Sequence, residues 1–135
     1  MTQSMHAYRA TQAYQGTAVA VPPLKAVVML FDGAILFLQK SVEACEARRF
    51  EEGHAYLIRA VSILRGLSHH LVGNALGDRL YKTYNGLIFA ALNSFGRPDA
   101  ARRYGKIVVG LTNLRDAWKH VAETQSAPRR ANDRA

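Results

Sequence analysis

Four blocks of apolar residues, each recurring at spacings of three and four, leave this chain little choice of fold. In the first, Leu24, Val28, Phe31, Ile35, Leu38, Val42 and Cys45 form one stripe, and Val27, Leu30, Ala34 and Phe37 form a second beside it. A helix turns once every 3.6 residues, so each stripe lies on one face. Alternation of three and four is the seam of a left-handed bundle. The second block carries Leu57, Val61, Leu64 and Leu71, flanked by Tyr56, Ile63 and Leu67. The third carries Leu80, Tyr81, Tyr84, Leu87, Ile88, Leu92 and Phe95, and the fourth Tyr104, Ile107, Leu111, Leu114, Trp118 and Val121. No segment shows the period-two alternation of a half-buried strand.

The punctuation between the blocks agrees with four helices. Pro22-Pro23 suits a first helical turn, where the missing donor has no partner to lose. A short turn falls around Arg48-Arg49-Phe50, and Gly73-Asn74 is a stop signal. Gly96-Arg97-Pro98-Asp99 ends the third block and offers Asp99 as a cap for the fourth. These signals predict helices over about 23–47, from the Phe50 turn to the Gly73 stop, over 75–95 and over 100–123. Short connections make the expected fold all-α, an antiparallel four-helix bundle over residues 22–124. Residues 1–21 read as an N-terminal arm with at most a turn of helix, packing on the bundle. Residues 125–135 read as a disordered tail containing Pro128 and several arginines. A chain of 135 residues can bury a core without metal or disulfide. Its single cysteine excludes an intrachain disulfide and fits a reducing cytoplasm. No apolar run reaches the roughly 20 residues of a membrane span, so membrane insertion is not expected. The N-terminus lacks the pattern of a secretory signal.

Little in the chain suggests catalysis. Glu51-x-x-His54 has the spacing of a di-iron helix pair, but such a site needs a second copy and the chain has none. His69 and His70 are adjacent, so their rings point apart on a helix. No phosphate loop, nucleophile elbow or dinucleotide fingerprint occurs. The expectation is a protein that is not an enzyme and has no cofactor or metal. The net charge of +8 is either a solvated basic surface or the mark of an acidic partner: nucleic acid, anionic lipid or an acidic protein. Its densest clusters, Arg102-Arg103-x-x-Lys106 and Arg129-Arg130, support an alternative reading as a basic helical nucleic-acid-binding module. The charge is otherwise spread along the chain, and few aromatics lie off the core spacing to stack on bases. Gly33, Gly66, Gly86, Gly105 and Gly110 fall inside the helices, each costing about 1 kcal/mol relative to alanine. Close helix packing or a shallow docking surface would explain them. Asp32 sits mid-helix between the apolar stripes, either solvated or an acceptor for a docked segment.

The order Ala7-Tyr8 with Gln12, a loop to Pro23, Met29-Leu30-Phe31-Asp32-Gly33-Ala34, Leu80-Tyr81 and Leu114-Arg115-Asp116-Ala117-Trp118-Lys119 resembles the FliS family of flagellar export chaperones. The resemblance runs from Ala7 to about Val121. It departs from the family pattern at Ala26, where leucine is frequent, and in its basic charge. What it implies is a cytoplasmic chaperone that holds the disordered C-terminal segment of flagellin. Such a chaperone blocks premature polymerisation and aids delivery to components of the flagellar type III export gate. An anti-sigma factor is a further candidate partner. The resemblance implies that Met5, Tyr8, Thr11 and Gln12 belong to an arm that covers the binding groove. It makes Met29, Asp32, Gly33 and Tyr81 candidates for the surface that the arm or the client occupies. A helical adaptor of another secretion system would share the groove but take a different client.

Overall fold

A computed structural model describes residues 23–71 and 75–134, with side chains as far as Thr124. Helix α1 spans Leu24–Glu46, α2 Phe50–Ser68, α3 Ala75–Ser94 and α4 Ala100–Arg134, and no strand occurs among the described residues. The α1 helix packs against α2 and α4, and α3 packs against the same two, so the four rods form a ring. Neighbours run antiparallel: Ser41 of α1 meets Gly53 of α2, Asp32 of α1 meets Arg115 of α4, and Ala91 of α3 meets Tyr104 of α4. The fold is the four-helix bundle that the apolar spacing predicts.

The centre of the ring is filled by Phe31, Leu38, Leu57, Leu64, Tyr84, Tyr104 and Leu111. Phe31 reaches across the diagonal to meet Tyr84 edge-on, with ring centroids 5.7 Å apart. Each aromatic hydroxyl or indole that enters the core finds a partner, as buried polar groups must. Tyr104 Oη donates to the Ala91 carbonyl at 3.0 Å, and Trp118 Nε1 donates to Tyr84 Oη at 2.8 Å. These two bonds pin α4 to α3 at both ends of their contact.

The α1–α2 pair is held most closely. Ser41 is buried and its hydroxyl donates to the Gly53 carbonyl at 2.7 Å. The turn between these helices is a Schellman stop. Arg49 N–H donates to the Ala44 carbonyl at 2.7 Å and Arg48 N–H to the Cys45 carbonyl at 2.9 Å. That geometry puts Arg48 at φ 65°, the left-handed region that normally asks for glycine. At the end of α3 the same need is met by Gly96 at φ 78°. Outside the pair, Phe37 stacks on Tyr56, and the Arg59 guanidinium lies 5.8 Å from each ring centroid.

The C-terminal boundary differs from the expectation. The sequence places the end of the last helix near Glu123 with a disordered tail over 125–135, whereas α4 continues to Arg134. The tail reads as disordered from its composition, and a proline inside a helix loses one hydrogen bond and costs about 3 kcal/mol. The residues around it, Ala127, Arg129, Arg130 and Ala131, are strong helix formers, and the backbone stays helical through them.

Candidate functional site

Along α1 the core row Val27, Phe31, Ala34 and Leu38 faces inward. Residues two positions on from Val27, recurring as Met29, Asp32 and Leu36, stand on the opposite side. Met29 is 71% exposed and Leu36 48% exposed, so this face carries apolar groups that the bundle itself does not cover. The α4 helix supplies the other wall. Lys25, Val28 and Met29 of α1 and Lys119, Ala122 and Glu123 of α4 line an open cleft of about 370 Å³. The cleft is apolar at its floor and lysine-bearing at its rim.

Asp32 lies about one turn along α1 from Val28 and Met29 of this cleft. Its Oδ1 accepts from Arg115 Nη1 at 2.9 Å, bridging α1 to α4. The same guanidinium donates through Nη2 and Nε to Asp116 Oδ1 at 3.0 and 3.1 Å. The bond to Asp32, and next the bond to Asp116, push the Arg115 pKa above its usual value. Asp32 is therefore neither simply solvated nor an empty acceptor. It is half exposed and already engaged, with one oxygen left for another donor. Behind Arg115, one turn along α4, Trp118 is tied to Tyr84. Burial pushes the Tyr84 hydroxyl pKa up, and the bond from Trp118 pulls the other way.

The structure gathers some of the expected site residues and separates others. Met29 and Asp32 share the α1/α4 face. Gly33 turns toward α2, where a Cβ in its place would touch Ile63 Cδ1 at 3.5 Å. Tyr81 is half exposed on α3, the helix diagonally across the bundle from α1. Met5, Tyr8, Thr11 and Gln12 lie outside the described residues. Arg115 is the residue that sequence reasoning missed. A signal was present: it is a basic residue three positions before Trp118 at the edge of the α4 stripe, and Asp32 is the lone mid-helix carboxylate among the α1 apolar stripes.

A second uncovered apolar area lies on the α2/α3 face. His54 of α2 meets the ring of Phe95 at 5.4 Å, which fixes the sides that these helices present to each other. One turn further along α2 stands Ile58, 40% exposed, and on α3 Leu92 is 37% and Phe89 70% exposed. Chemical groups are sparse by comparison. Among the described residues no three His, Cys, Asp or Glu side chains are placed to share a metal. Cys45 is half buried, and burial pushes its thiol pKa up, away from the reactive thiolate. Among the described residues no helix is long and apolar enough to cross a membrane.

Comparison with known proteins adds one result. The family model described as flagellar protein FliS matches residues 4–125. No protein with a curated description matches the chain.

Proposed function

The chain belongs to the FliS family of flagellar proteins, a family of flagellum-associated chaperones, and on that premise we propose that it is a cytoplasmic export chaperone for flagellin. It holds the disordered C-terminal segment of flagellin, prevents premature polymerisation and helps deliver the subunit to components of the type III export gate. An anti-sigma factor is a further client that the same surface could take.

One observation supports this reading above the others. The core of the bundle is complete, yet Met29, Leu36 and Phe89 remain about half exposed or more on the outer faces. These groups contribute nothing to the core, and uncovered apolar surface invites association. An amphipathic segment laid along the α1/α4 face would bury Met29 and Val28 against its own apolar side chains. Asp32 and Arg115 would then set its register through their remaining hydrogen-bonding capacity. Tyr81 with Ile58 and Leu92 would receive a further part of the same client on the α2/α3 face. In the absence of client, the arm with Met5, Tyr8, Thr11 and Gln12 would cover one of these faces and be displaced on binding.

Calorimetry with a flagellin C-terminal peptide tests the proposal. Binding at micromolar concentration or tighter is expected, with the negative heat-capacity change of buried apolar surface. Met29→Glu should weaken it about tenfold, because a carboxylate replaces an apolar anchor, while the far-ultraviolet circular dichroism stays unchanged. No heat of binding at micromolar peptide would defeat the flagellin assignment.

A further inference from the structure

On the far side of α4 from Asp32, α3 and α4 enclose a cleft of about 340 Å³ that the chaperone role does not account for. Its floor includes Ala90 of α3 and Ile107 of α4, and its rim carries Arg102, Arg103 and Lys106. Asp99 stands among these cations. Arg103 Nε lies 2.9 Å from both of its carboxylate oxygens, and Arg102 Nη2 lies 3.1 Å from Oδ2. One carboxylate thus meets two guanidinium groups, Lys106 adds a third cation to the rim, and the cleft keeps a net positive charge. The Arg102 side chain is 71% exposed and that of Arg103 44%. Each guanidinium has five N–H donors, and most of them remain available to another acceptor. The rim therefore already displays how a carboxylate is held there, with room beside it for more.

We propose that this α3/α4 cleft is a second docking site, distinct from the α1/α4 face, for an acidic segment of a partner protein. One or two carboxylates of the segment bind Arg102, Arg103 and Lys106, and a small apolar side chain rests on Ala90 and Ile107. The occupant comes from another chain. The first 22 residues here contain no Asp or Glu, and residues 124–135 contain only Asp133 against three arginines. A protein segment fits better than nucleic acid for two reasons. The floor is apolar, and no aromatic ring lines the cleft for a base to stack on.

Fluorescence anisotropy on the full chain tests this site. The probes are a labelled helical peptide of Glu, Ala and Leu, its counterpart with Lys for Glu, and a labelled single-stranded and duplex oligonucleotide. The Glu peptide should bind and weaken as salt rises, and the Lys peptide should not bind. Lys106→Glu should weaken the Glu peptide several-fold, and Lys106→Glu with Arg102→Glu about tenfold, since surface attractions become repulsions. If Arg102→Glu disturbs the start of α4 through repulsion from Asp99, Lys106→Glu alone still reads the site, because Lys106 is exposed. Met29→Glu should leave this binding unchanged, which separates it from flagellin capture. Failure of the Glu peptide to bind would overturn the proposal. So would binding insensitive to Lys106→Glu in a folded protein, or oligonucleotide binding as tight as that of the peptide.

Discussion

Replacing Gly53 with alanine should destabilise the protein, although the same change at other helical glycines should stabilise it. In a helix interior alanine is favoured over glycine by about 0.8–1 kcal/mol. At Gly53 the new Cβ would lie 2.5 Å from Cys45 Sγ and 3.1 Å from the Ser41 carbonyl oxygen. The sulfur belongs to a short, half-buried side chain and would have to move by about 1 Å to reach ordinary contact. The carbonyl is α1 backbone and cannot yield unless α1 and α2 separate. Separation would also stretch the 2.7 Å bond from Ser41 Oγ to the Gly53 carbonyl. Overpacking costs about 1–3 kcal/mol, and the close approach to rigid backbone puts Gly53 in the upper part of that range, about 2–3 kcal/mol, so after the propensity gain the net loss should be about 1–2 kcal/mol. Around Gly66, Gly86 and Gly105 a Cβ would meet nothing within 4 Å. Alanine at each of these should therefore add about 0.5–1 kcal/mol. Urea unfolding of the four variants, compared by midpoint at constant slope, measures the contrast. Cys45→Ala combined with Gly53→Ala should recover part of the loss, because the sulfur is gone and the Ser41 carbonyl remains. A Gly53→Ala protein as stable as the parent would refute the claim that α1 and α2 touch through this residue.

Three further outcomes are expected. Burial pushes the Tyr104 hydroxyl pKa up to about 12, so from about pH 10 upward the folded state keeps a proton that the unfolded chain loses. Stability should be full below that window and fall by about 2 kcal/mol by pH 11.5; Tyr104→Phe should flatten the decline, as urea midpoints between pH 8 and pH 11.5 would show. Arg48→Gly should stabilise by about 0.5–1 kcal/mol in thermal melts, because the left-handed conformation at φ 65° no longer strains a Cβ. A double-mutant cycle on Asp32→Asn and Arg115→Gln should return a coupling of no more than about 1 kcal/mol, since both groups are partly solvated; a much larger value would mean that the bridge holds the bundle together rather than shaping its surface.

The helices were legible because their signals are local. Leu57, Val61, Leu64, Tyr104, Ile107 and Leu111 fall where a 3.6-residue period puts them, and all are buried. Small and polar core residues were not legible. Ala44, Ala60, Ala91, Ser41 and Ser94 carry little apolar signal, yet all are buried. Leu30 and Leu92 show the converse: both match the apolar spacing and both remain more than a third exposed. In the sequence Gly53 is only a spacer within Glu51-x-x-His54, whereas in the structure it leaves no room for a Cβ between α1 and α2.

The candidate site was legible in part for a related reason. Met29 and Asp32 stand on one face because they are three residues apart on one helix, and that follows from the backbone period alone. Their meeting with Arg115, 83 residues away, depends on how α4 is rotated and staggered against α1. The placement of Gly33 toward α2 and of Tyr81 on the far helix depends on the same rotations. What the amino-acid order determined was four amphipathic rods, their sequence along the chain and which stripe of each must leave water, since these follow from period and side-chain chemistry. Which residues face one another across the rods, and which apolar groups stay uncovered, was decided only in the tertiary structure. The rotation and stagger of each rod are solved jointly against two neighbours, and no single segment encodes that solution.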